Sequence, residues 1–415
     1  MRKVLLLPLL AAVAVASDDW PQFRGPAGDG HSDATRLPLT WSETENVRWK
    51  TAIPGEGWSS PVVLGGQVWM TTALEDGRSL RAICVDRETG KVLHDVEVFH
   101  IEQPPPKNTS NSHASPSPVA EPGRVYVSFG TSGSACLDTA TAKVIWTNTE
   151  LTLTHKEGAG SSPILHGGLF ILCCDGTDVQ YMVALDKNTG RIVWKTQRSA
   201  AAVLEDKRTD LRKAFCTPQV IKVAGKEQLI SIGAFRAYAY EPKIGREIWF
   251  CNLPGFSNVP RPVFGHGLVY VGTGFMKPEL WAIRTDGTGD VTSTHVAWKV
   301  SKMASLKPSL LLAGDELYML NDASGTLTCL DAKSGEPVWQ EKIGGSYSAS
   351  PVAADGRIYF FNEKGQATVI KPGRTFERLA TSQLDAGCMA TPAVSGRALI
   401  LRTKTHLYRI ENTAK

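Results

Sequence analysis

After the first twenty residues, short apolar runs of three to six residues recur along the chain, and none of them is helically periodic. A typical stretch reads Ser59-Ser60-Pro61-Val62-Val63-Leu64, then Gly65-Gly66, then the apolar run Gln67–Met70. Period-two alternation and brief apolar runs punctuated by glycine predict short strands joined by tight turns. The phrase Ser/Thr-x-Pro-apolar returns around Pro61, Pro118, Pro163, Pro218, Pro262, Pro308, Pro351 and Pro392, at intervals of 41–57 residues. A second phrase follows inside most units, apolar-x-Asp-x-x-Thr/Ser-Gly-x-x-x-Trp. It is clearest in Val85–His94, Leu185–Trp194 and Leu330–Trp339, and weaker in Leu137–Trp146 and Tyr240–Trp249.

Each repeat therefore predicts four strands. The Pro phrase makes the first, the run after Gly-Gly or Gly-Arg the second, the run ending in Leu-Asp the third, and the run ending in Trp the fourth. Asp and Thr of the Asp-x-x-Thr-Gly segment bond their own backbone while Gly takes positive φ, which closes a hairpin. The Trp is expected to wedge between neighbouring units. Units of this size repeated eight times predict an all-β, eight-bladed β-propeller of four-stranded blades. The last unit ends near Ile410 without a Trp strand, and the chain opens with an orphan, Asn46-Val47-Arg48-Trp49-Lys50. That orphan is expected to supply the missing outer strand and close the ring, leaving no exposed edge. The resulting division is a signal peptide at 1–16, an N-terminal extension at 17–45 and one propeller domain at 46–415.

Composition changes this picture little. The 45 Lys+Arg against 41 Asp+Glu give a net charge of +4 and no support for a nucleic-acid partner. Met1-Arg2-Lys3, an apolar run from Val4 to Val15 and Ala14-Val15-Ala16 have the form of a cleavable export signal, cut after Ala16. The product is expected in the periplasm or outside the cell, without a membrane span and as a monomer. The 8 cysteines fall at equivalent places in different repeats, too far apart for bridges, and read as buried free thiols.

The SSP…LD-x-x-TG-x-x-x-W phrasing resembles the PQQ-like β-propeller repeat family over nearly all of residues 17–415. Asp19–Gly30, Gly158–Pro163, Cys174–Lys187 and Asn258–Val271 are similar to its secreted, non-dehydrogenase branch. The resemblance implies the fold. It leaves open a binding or scaffold module, a quinoprotein alcohol or sugar dehydrogenase carrying PQQ and calcium, or an outer-membrane protein assembly factor. Against the dehydrogenase, no haem-attachment C-x-x-C-H is present, and Cys173-Cys174 end a strand-like run in which neighbours point to opposite faces. No cofactor, metal or catalytic residue is expected.

Ligand binding by a propeller is expected at the loops that feed the central channel. The two longest are Asp95–Ser115 and Gln197–Ala214, on one face. The residues just before each Pro phrase, Trp58, His113, Glu157, Lys213, Asn258, Arg261, Lys307, Tyr347 and Met389, are expected to ring the mouth. Such a ring suits a protein partner or a small polar or glycan ligand. Arg261 stands where other repeats carry Ser or Thr, and either binds a carboxylate or plugs the channel through a carbonyl contact. Asp286–Asp290 interrupts the fifth repeat and reads as a solvated insertion, while Trp20, Phe23 and Arg24 read as a tail packed on the ring.

Overall fold

A computed structural model describes residues 18–200, 208–276, 278–301 and 304–413. The proposed signal peptide, residues 1–16, lies outside the described residues.

The strands group into eight antiparallel sheets, each an inner-to-outer meander, arranged as a ring. Blades one to seven start at Val62, Val119, Ile164, Gln219, Val263, Leu311 and Val352; blade eight starts at Ala393. The orphan strand Val47–Ala52 pairs with the strand His406–Glu411, with Val47 opposite Ile410 and Trp49 opposite Arg409, so the chain's two ends share blade eight.

The Asp-x-x-Thr-Gly turns form as the sequence predicts. In blade one the Asp86 carboxylate accepts the Thr89 amide and hydroxyl, both at 2.7 Å. Gly90 has φ of 72°, where any Cβ would meet the Trp49 ring. The tryptophans wedge between blades: Trp49, Trp146, Trp194 and Trp298 donate Nε1–H to Arg87, Lys187, Pro242 and Ala332 in the turn of the following blade. Ring closure uses the same device, because Trp49 of blade eight docks on the turn of blade one.

Three details differ from the sequence reading. The Trp does not end the outer strand. Blades two and three continue to Asn148 and Gln197, and blade one to His100, so its long loop begins only at Ile101. The Trp instead follows a β-bulge, with Leu137 opposite Val144 but Cys136 opposite Trp146, and this local twist turns the ring toward the next blade. In blade six Pro308 comes two residues early, since Ser309 occupies the place of Ser60 and Leu310 that of Pro61 before a strand at Leu311–Ala313. Gly289–Asp290 is exposed, as expected of a solvated insertion, but it also adds a parallel fifth strand to blade four, beside Trp249 and Phe250.

The core lies between blades, where each sheet buries apolar side chains against the next. One cluster takes in the N-terminal extension, burying Trp20, Leu37 and Trp41 with Val63, Phe361 and Leu399. The extension does more than pack on the ring. Trp20 pairs with Val63 of blade one's inner strand, the Pro21 carbonyl accepts the Ala120 amide, and the Gly30 carbonyl accepts the Ala353 amide of blade seven. Phe23 and Arg24 lie between these anchors, so the extension crosses the lower channel as a plug. All 8 cysteines are free and buried. Cys173 packs between blades three and four and Cys174 between blades two and three, which is why neighbours in this strand form no ring.

Candidate functional site

The residues before each inner strand meet around the channel. Their backbone N–H groups donate to the hydroxyl of the next blade: Ser60 to Ser117, Ser117 to Ser162, Ser162 to Thr217, then Arg261 to Ser309, Ser309 to Ser350, Ser350 to Thr391, and Thr391 back to Ser60, all at 2.9–3.0 Å. The one gap falls between Thr217 and Arg261, where arginine has no hydroxyl to accept. This belt explains why a small hydroxyl residue recurs there: it satisfies a buried amide that would otherwise cost about 1–3 kcal/mol.

Above the belt opens a funnel of about 640 Å³, with Phe23 of the plug in its floor and loops of all blades in its walls. Trp58, Glu157, Lys213, Lys307 and Met389 line it as the sequence suggested. Trp58 is held by its Nε1–H, which donates to the Ser110 carbonyl at 3.2 Å. Lys213, only 5% exposed, pairs with Glu157 at 2.8 Å. Lys307 pairs with Glu363 at 2.8 Å, and the Ser348 hydroxyl donates to the same carboxylate. Burial alone would raise the Glu363 pKa, but the bonds from Lys307 and Ser348 outweigh it and hold the carboxyl below its ordinary value.

The other expected mouth residues lie elsewhere. His113 sits against Gly77 of blade one, where partial burial and then Lys107 lower its pKa. Asn258 is fully buried and spends its Nδ2–H on the Gly233 carbonyl at 2.6 Å. Tyr347 is buried between blades six and seven, with burial pushing its hydroxyl up to about 12. Arg261 lies below the belt and donates to the Phe23 carbonyl at 2.6 Å, the plugging arrangement. These residues sit inside the wall because the step before a Pro phrase alternates between channel and blade core. The sequence reading missed the apolar lip on blade five's loops. Phe256 and Val259 belong to it, with Phe275 55% exposed and Met276 at its edge 74% exposed. An exposed Phe beside a Gly-rich step, Gly272-Thr273-Gly274-Phe275, is the signal that could have found it.

The carboxylates of the mouth do not form a calcium site. Calcium takes six to eight oxygen ligands, whereas Glu157, Asp210 and Glu363 each face a lysine. Among the described residues no three His, Cys, Asp or Glu side chains are placed to hold a metal ion.

Comparison with known proteins agrees with this geometry. The family profile described as outer membrane protein assembly factor BamB matches residues 37–149, 84–341 and 184–414. The chain belongs to the BamB family. BamB of Legionella pneumophila (strain Paris) is 25% identical over 178 residues, covering 40% of this chain and 43% of that protein, so the match spans less than half the curated relative. Among solved structures, BamB of Moraxella catarrhalis superposes with a TM-score of 0.54 at 12% identity, over 84% of this chain and 99% of its own. A quinohemoprotein alcohol dehydrogenase from Pseudomonas putida HK5 gives 0.66 at 10% identity, over 96% of this chain and 81% of its own. At such identities the structural likeness speaks for the fold alone. Among the described residues no helix is long and apolar enough to cross a membrane.

Proposed function

We propose that this BamB-family chain is an exported, non-catalytic binding module that serves outer-membrane protein assembly by holding a segment of a partner polypeptide in its upper funnel. One observation carries the reading. Among the described residues the funnel's charged groups are paired with one another, its hydroxyl belt is internally bonded, and what remains free is an apolar lip centred on Phe275. Exposed aromatic and methionine side chains around a concavity favour an apolar or aromatic anchor of another polypeptide. A site for acid–base or hydride chemistry would instead need an unspent titratable group pointing at the substrate.

The test places a photo-crosslinking phenylalanine analogue at Phe275, and in a control at Val193 on the outer strand of blade three. Each is irradiated with an urea-diluted outer-membrane β-barrel polypeptide. Adducts from position 275 and none from 193 are expected. No adduct from 275, or alcohol oxidation that requires added PQQ and calcium, would overturn the reading.

A further inference from the structure

Below the belt, between the plug and the inner strands of blades three to five, lies a second cavity of about 520 Å³. Its wall is mixed: Pro26, Ile164, Val220 and Phe264 give it apolar surface, and Gln219, Lys222 and Arg261 give it polar groups. Arg261 is only 2% exposed, and its Nε has no partner in the protein. Behind it Arg24 is fully buried; its Nη2 donates to the Asp29 and Leu310 carbonyls, while its Nε and Nη1 also lack partners.

Two guanidinium groups thus share one short loop of the plug. Gly28 lies so close to Arg261 that any Cβ would strike Nη1, and Gly30 stands in the same relation to Arg24. Asp29 is the carboxylate in the cavity wall, and its Oδ1 already accepts the His31 amide at 3.0 Å. Two buried cations against one carboxylate leave a positive charge in excess. A buried charge without a partner is costly and calls for one. Elsewhere in this molecule a buried arginine receives that partner: Arg198 meets Asp175 through Nε at 2.6 Å and Nη2 at 2.7 Å.

We infer that the lower cavity is a binding site for a small amphipathic carboxylate, with its head group on Arg261 and its apolar body along the inner strands of blades three to five. Arg261 is the break in the hydroxyl belt because its side chain serves this site. The site is independent of the upper funnel, separated from it by the belt and the plug.

The test titrates the intact protein with sodium octanoate, and separately with inorganic phosphate, at constant ionic strength, following heat by calorimetry. Arg261→Ser is the central variant, since it restores the eighth hydroxyl. Saturable octanoate binding is expected, weakened at least about tenfold in Arg261→Ser, with Arg261→Lys between the two. Leu165→Trp, which fills the cavity without touching either arginine, should also abolish octanoate binding, and keeps the test open if Arg261→Ser fails to fold. Absence of saturable octanoate binding to the wild type, equal binding by Arg261→Ser, or binding of phosphate alone would overturn the proposal.

Discussion

The two ends of the channel are built from the same inner strands and yet are finished in opposite ways. At the upper end the solution is repeated: one hydroxyl per blade accepts one amide from its neighbour, seven times around the ring. At the lower end the solution is singular, because the N-terminal extension spends its own backbone and Trp20 on blades one, two and seven. A repeat can close a ring symmetrically, but one segment entering a ring must break the symmetry somewhere. It breaks at Arg261, the point where belt and plug meet. The upper end is left open as a funnel, and the lower end is closed by the plug, which leaves only the smaller cavity beside Arg261.

The sharpest way to break this contrast is to remove equivalent aromatic groups at the two ends. Trp20→Ala should cost about 3–5 kcal/mol by urea unfolding, as expected for a large buried side chain. Trp58→Ala at the mouth should cost less than about 1 kcal/mol, because a half-buried surface ring creates no cavity.

Next in size is a buried charge. Asp175→Leu strands Arg198, whose burial matches that of its partner, and should cost about 3–5 kcal/mol by the same measurement. Titration offers a third contrast. Burial lowers His155, beneath the upper loops, from 6.5 to about 4. Between these values the unfolded chain binds the proton and the folded one does not, so stability falls as pH drops from 6.5 toward 4 and levels off below. The loss, up to about 3 kcal/mol, should disappear from the pH dependence of His155→Asn unfolding.

The belt gives a smaller effect. Ser350→Ala leaves the Ser309 amide without its acceptor and should cost about 1–3 kcal/mol. Smallest of all, Lys307→Ala opens a partly exposed pair at the mouth and should change stability by less than about 1 kcal/mol.

The blade count and the closure by Val47–Ala52 were legible in the sequence, because they rest on features repeated in most units: the Pro phrase, the turn Gly and the inter-blade Trp. The mouth was legible only in part. Trp58, Glu157, Lys213 and Lys307 reach the funnel, but His113, Asn258, Arg261 and Tyr347 turn into the wall. A step of one residue along the approach to a strand reverses the direction of the side chain, and loop length sets that step differently in each blade. Pro308, two residues out of register with Pro61, shows that the approach varies from blade to blade. The plug was the least legible feature. Residues 18–34 carry no repeat, and what holds them is contact with blades distant in sequence.

The central claim is that the channel takes a polypeptide from its upper end only, because the N-terminal extension plugs the lower one. Hydrogen exchange of the full-length protein, with and without an unfolded outer-membrane β-barrel polypeptide, tests it most directly. The account predicts that the Trp20, Gly30 and Ser32 amides are slow in both states, as in a blade, and that the polypeptide adds protection only around residues 104–115, 256–259 and 275–276. Rapid exchange of Trp20, Gly30 and Ser32, or new protection confined to the lower face, would contradict it.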